Sequence, residues 1–182
     1  MPISHERKRK QSSYNKEAHT KEMYDNIKRL INVSLPLASN LARIVAEVFD
    51  LYEFSDWECW YTAFYIQSKA NKKKYYIGPF QGPCGKESHE WGEGLHGIAI
   101  RTKKTHLFET TRDYRKYAAS VKPTESMLIL PIVIKGEVVA LWEIASKDMS
   151  TFDCLDALGF DKIAKELLVP LWEQTADLDI YA

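Results

Sequence analysis

An unbroken apolar run at residues 127–134, MLILPIVI, predicts that this chain is built on a buried β-hairpin. Because no polar residue interrupts the run, the strand is expected near the centre of a sheet, covered on both faces. Lys135 and Gly136 predict a tight turn, after which residues 137–145 return as the partner strand. Pro131 cannot donate to the ladder, so a bulge or a locally unpaired amide is expected there.

Helical spacing of apolar residues occurs on both sides of this hairpin. Residues 16–49 repeat apolar side chains every three or four positions, and Pro36 divides the run into two helices. Ser34 is predicted to cap the second helix, with Pro36 in its first turn. The apolar stripe is interpreted as core or as a dimer interface.

A further helix is predicted over residues 152–172, with Thr151 or Ser150 as its cap. Residues 1–15 are polar and basic and are predicted to be a disordered tail, and residues 173–182 a C-terminal tail.

The remaining strands follow from shorter patterns. Residues 57–67 are rich in aromatic residues, and residues 74–80 are expected to pair back on them as a hairpin. Residues 95–101 predict a short helix and residues 105–109 another strand. Together these elements predict an α+β domain over residues 16–172, in which an antiparallel sheet carries the terminal helices on one face.

Residues 75–97 combine two glycine corners, GPFQG at 78–82 and GEGLHG at 92–97, around a polar segment. Glycine permits positive φ and a close approach of the backbone. This layout predicts a loop that closes over a small molecule, with the amides of the following helix offered to an anion. A surface connection with two turns is the alternative interpretation.

Composition narrows the class of partner. The 25 basic residues balance the 25 acidic ones, which gives no reason to expect nucleic acid or an anionic membrane. No apolar run has the roughly 18 residues that a membrane span needs. Three cysteines without a CxxC pair favour a reducing cytoplasm over a disulfide scaffold.

The order of elements, the two glycine corners and the LILPIVIKGEVVALWEI hairpin together resemble a GAF domain. Within that superfamily the chain is similar to the free methionine-(R)-sulfoxide reductases, over residues 30–168. The resemblance implies a pocket roofed by the loops on one face of the sheet, and often a dimer formed through the terminal helices.

The chemistry of those reductases depends on cysteine thiols, and the resemblance places other residues at the thiol positions. Aligned without gaps from Pro131, Ser120 stands at the position of the nucleophile. A serine hydroxyl cannot cycle through sulfenic acid. His96 replaces a second cysteine, and Lys86 a third, with Cys84 two residues away. The reductases also carry carboxylates that hold the substrate amine, and a tryptophan near the substrate. The resemblance places Met127, Ala145 and Glu143 at the carboxylate positions and Tyr61 at the tryptophan position.

We therefore predict a ligand pocket without a catalytic residue, with Glu143 on its floor. No cofactor is expected, since the chain has no P-loop, no serine-hydrolase elbow and no dinucleotide fingerprint. Cys84, His89 and His96 share one loop but lack a fourth ligand at the usual spacing, so no metal is expected either. The predicted ligand-binding residues are Tyr61, Trp91, His96, Ser120, Met127, Glu143 and Ala145.

The resulting hypothesis is a cytoplasmic, non-catalytic GAF protein that binds a small molecule, such as an amine or an amino-acid derivative, and forms a homodimer. One alternative is a sulfoxide reductase that uses shifted cysteines such as Cys84 and Cys154. Another is a dimerising interaction module that binds no ligand.

Overall fold

The computed structural model describes residues 4–53, 59–83, 85–92, 94–114 and 123–175. Within these ranges the helices are α1 (Ser4–Leu30), α2 (Leu37–Glu53), α3 (Gly94–Thr102), α4 (Cys154–Ile163) and α5 (Val169–Thr175). The strands are β1 (Tyr61–Gln67), β2 (Lys74–Gln81), β3 (Ser88–Glu90), β4 (His106–Phe108), β5 (Ser126–Ile134) and β6 (Glu137–Ser146). A short 3-10 turn, Arg112–Tyr114, follows β4, and a π-helical turn, Ala164–Leu168, joins α4 to α5.

These strands form one antiparallel sheet in the order β3-β2-β1-β6-β5-β4. The predicted α+β class and antiparallel sheet are confirmed. The apolar hairpin supplies β5 and β6, and β6 lies between β5 and β1 near the middle of the sheet. Strand β3, at the sheet edge, was not predicted.

Pro131 sits where its missing amide costs little. Strand β4 pairs with β5 only at residues 127–129, so the described part of the sheet has no strand beside Pro131 on that side. On the other side Pro131 lies opposite Leu141, and the register shifts just after it, between Ile132 and Val133. Pro131 itself is therefore in regular register, and the irregularity lies beside it, where the register skips Val139 of β6.

Helices α1, α2, α4 and α5 cover one face of the sheet and enclose the larger core. Trp142 lies in this core, stacked on Phe64 at 5.2 Å between ring centroids and edge-on to Phe160 at 5.3 Å. Its indole N–H donates to the hydroxyl of Thr62 at 3.0 Å, which satisfies its buried polar atom. This helix layer is the one that the sequence predicted.

The apolar stripes of α1 and α2 are buried in this core. Met23, Ile27, Leu41, Ile44 and Val48 are all fully buried within the single chain. The stripe therefore needs no dimer to cover it, and the homodimer stays a prediction without that support.

Three details of the helices correct the sequence-based expectations. Helix α1 begins at Ser4, where residues 1–15 were predicted to be a disordered tail, because Lys, Arg, Glu and Gln are strong helix formers. Helix α2 begins at Leu37, too late for Ser34 to cap it, and the Asn40 side chain instead bonds the preceding turn. Helix α5 continues to the buried Thr175, past the predicted boundary at residue 173.

The cap of α4 is also different from the one predicted. Asp153, rather than Thr151 or Ser150, is the N-cap, and its carboxylate accepts from the amides of Leu155 and Asp156. Asp156 completes a capping box by accepting from the Asp153 amide at 2.9 Å.

The following π turn has a local cause. Pro170 has no amide to donate, and the Val169 amide bonds the carbonyl of Ala164, five residues back. Among the described residues, no helix is both long and apolar enough to cross a membrane.

Candidate functional site

The second face of the sheet carries a separate apolar cluster, covered by α3. Alternation along the central strands turns every second side chain toward this face. Helix α3 contributes Leu95, Ala99 and Ile100. The strands contribute Tyr61, Ala63, Tyr65, Met127, Ile129, Leu141 and Ala145.

A carboxylate lies in the middle of this apolar face. Glu143 occupies the centre of β6, opposite Ala63 on one side and Ile129 on the other, and its side chain is fully buried. Its Oε2 lies 2.9 Å from Nε2 of His96, which α3 places directly above the sheet. Because an isolated charge is costly to bury, this paired geometry is what allows a glutamate at this position.

His89 extends the pair into a cluster of three. It comes from β3, and its ring stacks on that of His96 with 3.6 Å between centroids and 22° between planes. Burial, reinforced by His96 and Lys86, lowers the pKa of His89 to about 2. The His89 imidazole is therefore neutral at pH 7 and keeps one nitrogen lone pair.

Tyr65 contacts both histidines of this cluster, and Tyr61 contacts Tyr65. The Tyr65 ring meets both imidazoles edge-on, at 4.5 Å from His89 and 5.6 Å from His96. Its hydroxyl donates to the carbonyl of Lys86 at 3.0 Å and lies 3.0 Å from the hydroxyl of Tyr61. These hydrogen bonds fix the orientations of the two tyrosine rings.

A glycine closes the loop against these tyrosines. A Cβ at position 85 would lie 2.2 Å from the Tyr61 hydroxyl oxygen, so no other residue fits without displacing the ring. The loop before β3 therefore packs directly on the tyrosines that support the histidines.

The structure brings five of the predicted ligand-binding residues to this one face: Tyr61, His96, Met127, Glu143 and Ala145. Trp91 is elsewhere. It is 51% exposed in the turn after β3 and lines an open groove of about 480 Å³ with Tyr75 and Arg101. Ser120 and Cys84 lie outside the described residues.

His89 is the site residue that the sequence interpretation left out. Metal binding was set aside because only ligands within one loop were counted. The third donor, Glu143, comes from a strand 47 residues beyond His96. Local sequence offered no signal for this, because His89 turns inward beside Tyr65 only through the pairing of residues 88–90 with β2, which the structure shows.

The described cysteines lie away from this cluster. Cys59 is buried in the core on the helix side of the sheet. Cys154 is exposed at the first residue of α4, in the helix layer. The face covered by α3 thus carries imidazoles, a carboxylate and phenols, which can bind hydrogen-bonding ligands or a metal ion.

Comparisons with known proteins agree with this architecture. No protein-family model matches the chain. It is 26% identical to the free methionine-R-sulfoxide reductase of Saccharomyces cerevisiae over 161 residues, which span 88% of this chain and 85% of the yeast protein.

Two solved structures are also similar. One is a GAF domain, with a TM-score of 0.76 and 23% identity over 82% of this chain and 85% of that one. The other is the free methionine-R-sulfoxide reductase of Neisseria meningitidis in complex with its substrate, with a TM-score of 0.75 and 19% identity over 87% and 89%. The chain has the GAF fold, and the resemblance inferred from its motifs is confirmed at that level.

Proposed function

We propose that this chain is a non-catalytic GAF protein that binds a small molecule on the sheet face covered by α3. The observation that carries the proposal is the buried pair of Glu143 and His96 on the sheet face that α3 covers. A buried pair of this kind contributes little net stability compared with apolar residues of the same size. A role in recognition gives a reason for its presence.

The pair also indicates what kind of ligand is favoured. A carboxylate offers about four acceptor sites, so a donor group of a ligand can share Glu143 with His96. The positions that resemble further carboxylates in the reductases carry Met127 and Ala145, both fully buried. A single acidic group among these positions favours an amine or another hydrogen-bond donor over a zwitterionic amino acid.

The expected absence of catalysis follows from thiol chemistry. Reduction of a sulfoxide by this route needs a thiolate that can become a sulfenic acid and then a disulfide. Of the two cysteines that the structure describes, Cys59 is enclosed in the helix-side core and Cys154 lies in the helix layer. The resemblance places Ser120, His96 and Lys86 at the thiol positions.

We expect no turnover of free methionine sulfoxide when NADPH consumption is followed in a thioredoxin-coupled assay. The yeast reductase, assayed in parallel, serves as the positive control. The 26% identity to that enzyme keeps a reductase with shifted cysteines as the alternative. Turnover that Cys84→Ser abolishes would establish that alternative and overturn ours.

Binding is tested by a thermal-shift screen of amines and amino-acid derivatives in the presence of EDTA. For a compound that stabilises the wild type, Glu143→Gln should weaken binding tenfold to a hundredfold, because a charge-assisted hydrogen bond of about 1.5–3 kcal/mol is lost. The matched control is Glu137→Gln, on the same strand but 60% exposed.

Two results would count against this assignment. If no compound stabilises the wild type, the chain fits the ligand-free interaction module better. If Glu143→Gln and Glu137→Gln bind every hit equally, the ligand site lies elsewhere.

A further inference from the structure

The cluster of His89, His96 and Glu143 has a second capability that does not depend on an organic ligand. One potential ligand atom from each residue lies within 4.8 Å of the other two. In a tetrahedral zinc site with bonds of about 2.0–2.1 Å, ligand atoms are about 3.3 Å apart. His96 Nε2 and Glu143 Oε2 are already 2.9 Å apart. The His89 ring lies stacked on the His96 ring at 22°, so it must turn out of this stack before both imidazoles can point at one ion.

The three donors are held on separate, well-packed elements. His89 is on β3, His96 on α3 and Glu143 on β6, and their exposed fractions are 4%, 2% and 0%. The Tyr65 ring contacts both imidazoles and limits their movement. The donors are therefore close together without metal, and the ordering cost of binding falls mainly on the His89 ring.

The donor set also selects the kind of ion. Two imidazoles and one carboxylate suit zinc, cobalt and ferrous iron, whereas magnesium and calcium prefer oxygen ligands. Three protein ligands leave at least one coordination position for water or for an incoming molecule.

We propose that His89, His96 and Glu143 bind one divalent transition-metal ion on the sheet face beneath α3. The ion replaces the direct contact between His96 and Glu143 and uses all three side chains as ligands. The ion would lie on the sheet face that also carries Tyr61, Met127 and Ala145.

The test uses the metal alone. Protein freed of metal by EDTA is exchanged into chelator-free buffer and titrated with Co²⁺, whose visible absorption reports low-coordinate binding, and then with Zn²⁺ as a competitor. We expect uptake of one Co²⁺ per chain, displacement by Zn²⁺ and no response to Mg²⁺. His89→Gln and Glu143→Gln should each lower the affinity at least a hundredfold, since even outer-shell partners of a metal contribute tenfold to a hundredfold.

Two control variants remove donors that lie elsewhere. His106→Gln removes a part-exposed histidine that contacts Thr102, and Cys154→Ser removes the exposed thiol. Both should bind Co²⁺ as the wild type does. Thermal unfolding of every variant without metal checks that the fold is intact. If His89→Gln does not fold, Glu143→Gln still tests the site, because its amide can hydrogen-bond His96 in place of the carboxylate.

The proposal is overturned if no one-to-one Co²⁺ complex forms, or if His89→Gln and Glu143→Gln both bind Co²⁺ as tightly as the wild type. It is also overturned if Cys154→Ser or His106→Gln alone abolishes binding. Because the organic-ligand screen contains EDTA, its failure and the failure of metal binding are distinguishable.

Discussion

Replacing Lys16 with methionine is expected to lower the free energy of unfolding by about 3–5 kcal/mol, a large part of the stability of a domain this size. Lys16 lies on α1, and its buried side chain reaches the start of α4. Its Nζ lies 2.6 Å from Asp156 Oδ2 and 3.4 Å from Asp153 Oδ2. Methionine fills a similar volume but leaves Asp156 as a buried charge without its cation.

The pKa of Asp156 gives this prediction a pH dependence. Burial outweighs the attraction of Lys16 and raises this pKa above its ordinary value. A carboxyl group whose pKa is raised by folding stabilises the fold fully below its unfolded pKa of 3.8. This contribution to stability is lost as the pH rises through the pKa of the folded state. The loss in free energy of unfolding caused by Lys16→Met should therefore be larger at pH 7 than at pH 4. Urea unfolding of the variant and the wild type at both pH values measures this difference.

A second substitution separates charge from packing. Asp156→Asn keeps the acceptor for the Asp153 amide and removes the charge, so Lys16→Met combined with Asp156→Asn should be more stable than Lys16→Met alone. Lys165→Met is the control. It breaks a pair with Asp161 of the same 2.6 Å length, but its lysine is 72% exposed, so the loss should stay below about 1 kcal/mol. Equal losses for Lys16→Met and Lys165→Met would contradict the argument.

Replacing Gly97 with alanine should also destabilise the fold, by about 1–3 kcal/mol or more. The sign is the informative part, because glycine to alanine inside a helix ordinarily stabilises by about 1 kcal/mol. A Cβ at position 97 would lie 2.4 Å from the carbonyl carbon and 2.8 Å from the carbonyl oxygen of Gly92. Backbone atoms cannot rotate away, so α3 must move as a unit and carry His96 with it.

The control for this variant is Gly136→Ala in the turn between β5 and β6. Gly136 has φ of +82° but open space around it, so only conformational strain of about 1–2 kcal/mol is expected. Urea unfolding gives both stabilities, and the imidazole NMR signals of His96 report the site. Gly97→Ala should shift those signals and Gly136→Ala should not. A stabilised Gly97→Ala with unchanged signals would show that α3 is not held against Gly92.

Local patterns were sufficient to predict most of the fold. The unbroken apolar run of β5 reports burial on both faces, and the three- and four-residue spacing in α2 reports one buried face. Both are properties of consecutive residues, so they can be recognised without knowing what packs against them. The irregularity expected at the proline of β5 lies beside it instead, between Ile132 and Val133, where the register skips Val139 of β6.

Local patterns failed where a choice depended on a distant partner. Asp153 was missed as the cap of α4 for a different reason, because its capping box with Asp156 is a local pattern that was not recognised. Trp91 was assigned to the pocket from its place in the loop. The turn after β3 instead directs it to a groove shared with Tyr75 and Arg101.

The sequence by itself determined the chemical inventory of the site: a glutamate in the middle of an apolar strand, histidines near a glycine corner, and few cysteines. Only the tertiary structure decided that His89, His96 and Glu143 meet. Strand β3 adds to the edge beside β2, and α3 folds back over the sheet, so residues on three elements converge. Spacing along the chain cannot report this convergence, because it depends on which strands pair and on how a helix packs across them.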